Sequence, residues 1–325
     1  MLFRSATIDN HIWLVLAVSI KKGECAINPK RVAVTVDPAQ SCGVIRRLNG
    51  TNLGPPLLFE GIGMDITDDL KPLQIPLMRL HDAPWENGGL KLVDIPQVFP
   101  LFHADPADPR NYCFKQTDDY IGKCLATGAK VLYRLGISIE HTKRKYNTEP
   151  PADFDKWAEI CCRIIAHYNE GWGDGFRHGI EYWEIWNEAD GGALMWSGTW
   201  DDYIRLYITA AKAIKKRFPS VKVGGPAICS ANSREKIEAF LAACQREQAP
   251  LDFFSWHHYT TDAADMASKA ALVKGHLDAY GFGKTELHLN EWHYAGSFGN
   301  LFKSRGEERR QAEVLGMNEI GRAHV

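Results

Sequence analysis

The sequence predicts a (β/α)8 barrel, an α/β fold in which parallel strands alternate with helices. Short apolar runs alternate with amphipathic segments from about residue 43 onward, and there are seven such runs. A length of 325 residues with 45% hydrophobic side chains suits one large domain, and a barrel needs about 250 residues. The runs predict strands at 44–54, 75–81, 129–137, 180–187, 221–227, 252–259 and 285–292.

Helical patterns separate the predicted strands. In 152–168, apolar residues recur at spacings of three and four, the period of a helix that buries one face. The segment 200–218 begins with acidic residues and ends with basic ones, as the helix dipole favours, and Pro219 follows it. The predicted helices are 117–127, 152–168, 200–218, 233–248 and 262–280.

The domain organisation is expected to be one barrel at 43–319 preceded by a separate segment at 1–42. We expect the barrel to stop in the helix after its seventh strand. The first five residues, MLFRS, and the last six, IGRAHV (320–325), match in-frame translations of common sequencing-adapter DNA, so we interpret both as non-native. A Pro- and Asp-rich insertion at 85–116 follows the second strand, where barrel loops shape the mouth of the site.

Charge and composition argue against several classes of function. With 38 basic and 40 acidic residues, the chain shows no basic face for nucleic acid and no polybasic patch for a membrane surface. Its eight cysteines form no CxxC pair, and we expect no metal and no cofactor. The apolar run at 12–20 is too short to span a bilayer, and no clear cleavage site follows it, so cytoplasmic and secreted locations both remain open.

Polar residues close four of the predicted strands, at the carboxyl end where barrel enzymes keep their functional groups. The second strand ends in MRLHD, the fourth in EIWNE, the sixth in SWHHY and the seventh in LNEW. A soluble core would otherwise favour hydrophobic residues there. The candidate catalytic residues are Glu188 and Glu291, and the candidate substrate-binding residues are Arg79, His81, Asn187, His257, Tyr259 and Trp292.

Two carboxyl groups that face each other are what the hydrolysis of a glycosidic bond requires. Strands four and seven lie opposite each other in a barrel, so Glu188 and Glu291 are expected to approach to about 5–5.5 Å, the separation in retaining enzymes. We expect Glu188 to be the general acid/base and Glu291 the nucleophile. Arg79 is expected to keep the nucleophile ionised, Asn187 to bind a sugar 2-hydroxyl, and Tyr259 to orient the nucleophile.

Two alternative classes of function remain open at this point, and the first concerns the histidines. His81 and His257 are candidates for holding substrate hydroxyls or tuning the acid, but together with His258 they also suggest a metal-dependent barrel hydrolase. That class usually has an HxH motif on its first strand, and VIRRLNGTNLG (44–54) contains none. The second alternative is a barrel that binds carbohydrate without turnover, because a fold does not fix a function.

Five segments of the chain resemble glycoside hydrolase family 39, a clan A family of β-xylosidases and α-L-iduronidases. The WNE triplet, followed by W-x-G-T and then VGGPA, is the most specific part of the resemblance. The segments are LMRLHD (77–82), YWEIWNEADGGALMWSGTWDDYIRLYITAAKAIKK (182–216), VKVGGPA (221–227), DFFSWHHY (252–259) and LHLNEW (287–292).

This resemblance implies a retaining double-displacement glycosidase, β-xylosidase-like or of another clan A specificity, that acts on plant or microbial glycans. The family pattern carries over to Arg79, His81, Asn187, Glu188, His257, Tyr259 and Glu291. The chain departs from the pattern at Ala189, where family members often have proline, and in NEWHY around Glu291. The family's eighth-strand aromatic residue and β-sandwich accessory domain find no counterpart in the sequence.

Overall fold

A seven-stranded parallel sheet is the centre of the structure, a computed structural model that describes residues 47–56, 65–83, 91–140 and 143–293. The strands pair in chain order and curve into a nearly closed barrel, so the predicted fold class is confirmed. They are β1 (Thr51–Asn52), β2 (Leu77–Leu80), β3 (Lys130–Leu135), β4 (Tyr182–Ile185), β5 (Lys222–Ile228), β6 (Phe253–Tyr259) and β7 (Glu286–His293).

Helices connect successive strands, as parallel pairing requires. The five predicted helices are present within a few residues of their expected bounds, and two short ones were not predicted. The helices are α1 (Thr67–Leu70), α2 (Ile95–Val98), α3 (Lys115–Ala126), α4 (Phe154–Asn169), α5 (Trp200–Arg217), α6 (Arg234–Arg246) and α7 (Ala263–Ala279). None of these helices is long and apolar enough to cross a membrane, in the part of the chain that the structure describes.

The first strand is much shorter than the predicted 44–54. Two residues pair with β2, Thr51 with Met78 and Asn52 with Arg79. The Asn49 side chain instead donates a hydrogen bond of 3.0 Å to the Leu73 carbonyl, outside the strand ladder. The predicted strand is therefore too long: among the described residues, pairing with β2 is confined to Thr51 and Asn52. Residues 44–46 lie outside the described residues.

The insertion at 85–116 is described from residue 91 and packs across the carboxyl end of β3. The amide of Ile95 donates 2.9 Å to the Gly136 carbonyl, and the Tyr133 hydroxyl donates 3.1 Å to the Val93 carbonyl. Val93 and Ile95 are buried, so the loop is part of the core and not a free flap. Residues 84–90, 1–42 and 320–325 lie outside the described residues, so the domain boundaries and the interpretation of the ends stay predictions.

Side chains of each strand alternate between two environments. Met78 and Leu80 of β2 are fully buried in the apolar core between sheet and helices, whereas Arg79 between them belongs to a polar interior. In β4, Ile185 lies in the core, and its carbonyl accepts a 2.9 Å hydrogen bond from the Tyr203 hydroxyl of α5. The period of two along each strand therefore directs charged groups to the inside of the barrel, towards its carboxyl end.

Candidate active site

Glu188 and Glu291 come together at the carboxyl ends of β4 and β7. A carboxylate oxygen of Glu188, a carboxylate oxygen of Glu291 and a ring nitrogen of His257 all lie within 4.8 Å of one another. The Glu188 and Glu291 side chains are 22% and 20% exposed, respectively, so both carboxylates are accessible from the barrel mouth. The structure thus brings together the two glutamates that the sequence singled out.

The backbone that carries Glu188 leaves β4 in a tight turn. Trp186 has φ 68° and Glu188 has φ 46°, both in the left-handed region, which costs about 1–3 kcal/mol per residue. Contacts on both sides hold this turn: the Trp186 indole donates 3.0 Å to the Met195 carbonyl, and the Glu188 amide donates 2.9 Å to the Ala227 carbonyl. Strained backbone held this firmly is typical of sites where a side chain must keep one orientation.

A β-bulge in β7 directs Glu291 into the barrel. Trp256 of β6 pairs with Leu289, but the next residue, His257, pairs with Glu291, so Asn290 is an extra residue in β7. As a result Asn290 and Glu291, although adjacent, both reach interior groups: Asn290 donates 2.6 Å to Glu184, and Glu291 accepts 2.5 Å from the Tyr259 hydroxyl. Bulges next to active sites commonly re-aim a side chain in this way.

Three groups surround the Glu291 carboxylate and favour its charged form. Tyr259 donates its short hydrogen bond, Arg79 Nη1 lies 3.4 Å from Oε2, and His257 Nδ1 lies 3.8 Å from the same oxygen. Burial acts to raise the pKa of Glu291, but the charges of His257 and Arg79 and the bond from Tyr259 more than offset it, so the pKa lies below its ordinary value. Burial and the nearby Glu291 charge raise the pKa of Tyr259, which stays a donor.

Arg79 connects the candidate site to Glu184, a residue that the sequence analysis missed. Its Nε donates 2.7 Å to Glu184, its Nη2 donates a short hydrogen bond to Asn187 Oδ1, and it is 2% exposed. Burial opposes the charge of Arg79, but the carboxylates of Glu184 and Glu291 more than offset it and raise the pKa of the guanidinium. The signal in the sequence was a lone glutamate inside the apolar strand YWEI (182–185).

His81 lies beside this network in a defined protonation state. Arg134 Nε donates 3.2 Å to His81 Nδ1, so the ring proton of the neutral imidazole must sit on Nε2. Burial, with the positive charges of Arg79 and Arg134, lowers the pKa of His81 well below its ordinary value. His81 is therefore a neutral hydrogen-bond donor at pH 7.

His257 and Trp292 have contrasting surroundings. His257 is fully buried and its Nδ1 contacts Glu188, the candidate acid, at 2.7 Å, which is compatible with the second of the two roles expected for it. Trp292 is 39% exposed and pairs with His258, whose ring contacts Asp265 of α7 at 2.7 Å on the helix side of the sheet. The role of Trp292 in binding stays a prediction.

The three histidines of the metal-dependent alternative do not converge. His258 faces α7, His81 already accepts a bond from Arg134, and His257 faces the glutamates. Glu188, His257 and Glu291 lie close enough together to be considered as ligands of a cation. The Arg79 guanidinium, 3.4 Å from Glu291, would repel a cation there, so we interpret the three side chains as a hydrogen-bonding group and not as a metal site.

A parallel barrel with two glutamates facing each other at the carboxyl ends of its strands is the arrangement typical of barrel-type glycoside hydrolases. The chain matches the sequence profile of "Glycosyl hydrolases family 39" over residues 97–278, more than half of its length, and it belongs to that family. This confirms the family resemblance seen in the sequence.

Individual relatives align with parts of the chain. It is 33% identical over 149 residues to a beta-xylosidase of Geobacillus stearothermophilus, covering 44% of this chain and 26% of the relative. It is 30% identical over 151 residues to a beta-xylosidase of Caldicellulosiruptor saccharolyticus, covering 46% and 28%. The aligned part is thus little more than a quarter of each relative's length.

Two solved structures also resemble the barrel. A glucosidase from Croceicoccus marinus superposes with a TM-score of 0.68 at 32% identity, covering 78% of this chain and 52% of that one. A monomeric beta-xylosidase from Caulobacter crescentus superposes with a TM-score of 0.53 at 20% identity, covering 71% and 49%, and supports the fold alone.

Proposed function

We propose that this chain carries the catalytic site of a retaining β-glycosidase, with Glu188 as general acid/base and Glu291 as nucleophile. The observation that carries the proposal is that one carboxylate oxygen of Glu188 lies within 4.8 Å of one carboxylate oxygen of Glu291. Retaining glycosidases hold their carboxyl groups about 5–5.5 Å apart, whereas inverting enzymes need about 6.5–9.5 Å to admit a water molecule. The short separation therefore favours direct attack by Glu291 on the sugar.

The reaction then proceeds in two displacements. Glu291 attacks the anomeric carbon while protonated Glu188 gives its proton to the leaving oxygen, so that a glycosyl ester forms as the aglycone departs. Glu188, now a carboxylate, takes a proton from water, which attacks the anomeric carbon and releases Glu291. Asn187 is suited to bind the sugar 2-hydroxyl, because Arg79 holds its amide oxygen and leaves the NH2 group to donate. We also propose that His81 binds a substrate hydroxyl and that His257 tunes the acid, Glu188, through their hydrogen bond.

The proposed substrate is a β-xyloside, because both curated relatives described above are beta-xylosidases. A β-glucoside is the second candidate, because the similar structure from Croceicoccus marinus is called a glucosidase. The two sugars differ by a hydroxymethyl group at C5, so hydrolysis of aryl β-xylosides and aryl β-glucosides by the same preparation separates the candidates. A preference for the glucoside in kcat/KM would overturn the xyloside proposal without affecting the roles of the glutamates.

Azide tests the two roles. Glu291→Gly should abolish turnover, and azide should restore it with formation of a glycosyl azide of inverted configuration. Glu188→Ala with azide should give the retained configuration, because the azide then attacks the glycosyl-enzyme. Glu286→Gln, at the amino end of β7, is the matched control and should keep normal activity. Full activity of both glutamate variants would show that the assignment is wrong.

Leaving groups provide an independent test of Glu188. Glu188→Ala should hydrolyse substrates with good leaving groups far better than those with poor ones, because good leaving groups depart without protonation. Equal losses on both would contradict the acid role.

The non-catalytic alternative and the metal-dependent alternative make different predictions. A binding barrel would show heat of binding with xylooligosaccharides in calorimetry but release no reducing ends. A metal-dependent hydrolase would lose activity in the presence of a chelator, whereas the proposed mechanism predicts unchanged activity.

A further inference from the structure

Glu184 is a charged group that the proposed reaction does not use. It lies in the middle of β4 with a side chain that is 0% exposed, and donors from two other strands meet at its carboxylate. Arg79 Nε of β2 donates 2.7 Å to Oε2, and Asn290 Nδ2 of β7 donates 2.6 Å to Oε1. A carboxylate this deeply buried is retained only when its charge is compensated, so these two donors account for its presence.

The Arg79 guanidinium is shared unequally between two carboxylates. Its Nε approaches Glu184 to 2.7 Å, whereas its Nη1 stays 3.4 Å from Glu291. Charge-assisted N–H···O bonds are strongest at about 2.7–2.9 Å, and 3.4 Å is beyond that range. Arg79 is therefore bound mainly to Glu184, and Glu291 receives a weaker share of its charge.

This division matters for a nucleophile. The charge of Glu291 is consumed as the glycosyl ester forms, so a cation that pairs tightly with the free carboxylate stabilises the starting state more than the transition state. An Arg79 that is only loosely paired with Glu291 keeps this carboxylate ionised without lowering its reactivity as a nucleophile.

We propose that Glu184 is a positioning residue that draws Arg79 away from Glu291, so that the nucleophile stays ionised but only loosely paired. The proposal rests on the proposed role of Glu291. Asn290 has a part in the same balance: its amide offsets some of the Glu184 charge and so weakens the hold of Glu184 on Arg79. Because Asn290 is also the extra residue of the bulge, the same bond fixes the strand segment that presents Glu291.

Four other charged or titratable groups face Glu291, and none of them is removed by substitution of Glu184 or Asn290. They are Arg79 from β2, Glu188 after β4, and His257 and Tyr259 from β6. In Glu184→Gln the loss of the Glu184 charge by itself also lowers the pKa of Glu291. The shift in Asn290→Ala, which removes no charge, is therefore the one that reports how Arg79 is divided between the two carboxylates.

The direct test is a titration of the Glu291 carboxyl by NMR, in the full chain labelled with 13C at glutamate Cδ and assigned with Glu291→Gln. In Glu184→Gln, Arg79 is free to pair with Glu291, and the pKa of Glu291 should fall. In Asn290→Ala, Glu184 should hold Arg79 more strongly, and the pKa of Glu291 should rise. Glu286→Gln removes another β7 carboxylate, bound to Lys222 at the amino end, and should leave the pKa unchanged.

Opposite shifts in the two variants support the proposal, and no shift or shifts in the same direction overturn it. If Glu184→Gln does not fold, the expected rise in Asn290→Ala still decides the matter. The titration needs no turnover, so failure of the wild-type chain to cleave glycosides refutes the proposed function separately from this inference.

Kinetics give a second readout in an active preparation. Glu184→Gln should lower kcat/KM by about 10²-fold and move its acidic limb to lower pH. A purely structural role would reduce the active fraction equally at every pH and leave the acidic limb where it is, and that result would overturn the proposal.

Discussion

Replacing Arg79 with methionine removes the guanidinium from the barrel interior while keeping an unbranched side chain. Arg79 is 2% exposed and donates to Glu184, Asn187 and Glu291. Without it, the buried carboxylate of Glu184 keeps the hydrogen bond from Asn290 but loses its cationic partner. Removing one partner of a buried ion pair costs about 3–5 kcal/mol, so we expect the free energy of unfolding to fall by about that amount.

Urea unfolding followed by tryptophan fluorescence at pH 7 measures this loss. In a thermal melt, an unfolding entropy of about 2.1 cal/mol/K per residue gives about 1.5 °C per kcal/mol for a chain of 325 residues, which predicts a Tm lower by roughly 4–8 °C. The double variant Arg79→Met/Glu184→Gln should be more stable than Arg79→Met alone, because the uncompensated charge is gone. If the single variant loses less than about 1 kcal/mol, or if the second substitution gives no recovery, the reasoning about this buried pair is refuted.

Two further predictions concern the nucleophile and a helix cap. Tyr259→Phe removes a hydrogen bond that lowers the pKa of Glu291, so the acidic limb of kcat/KM should move to higher pH. The rate should fall by about 10–10²-fold, because the carboxylate is no longer held in one orientation. The control Tyr182→Phe, at the amino end of β4, should change neither the acidic limb nor the rate. Thr199→Ala removes the capping box of α5 and should lower the free energy of unfolding by about 1 kcal/mol in urea titrations. Ser233→Ala, at the start of α6, where the side chain makes no cap bond, should lower it by less. Equal losses in the two variants would contradict this account.

Local patterns predicted the order of the elements and the positions of the two glutamates. Helices such as α4 and α5 bury one face, and their period is visible in the sequence together with the acidic and basic ends of α5. The polar residues at the carboxyl ends of β2, β4, β6 and β7 stand out in the sequence because each follows an apolar run. The overestimated first strand shows the limit of this approach: an apolar pattern does not reveal that Asn49 bonds a carbonyl outside the ladder.

The contacts of Glu184 were not predictable in the same way. In the sequence it is one charged residue in YWEI, and nothing local says that Arg79 and Asn290, more than 100 residues away on either side, will meet it. The surroundings of Trp292 were not predictable either: it follows Glu291 in the sequence, but strand alternation sets it on the other face, where it pairs with His258. Its binding role stays a prediction.

By itself, the sequence determined which residues can do chemistry and in which order the strands follow, because side-chain type and periodicity are local properties. Only the tertiary structure decided how these groups share charge. It brings the Glu188 and Glu291 oxygens within 4.8 Å, places Arg79 nearer to Glu184 than to Glu291, and turns Glu291 inward through a bulge. Differences of less than about 1 Å, such as that between the 2.7 Å and 3.4 Å contacts of Arg79, decide how charge is shared between strands far apart in the sequence, and they depend on the register of the whole barrel.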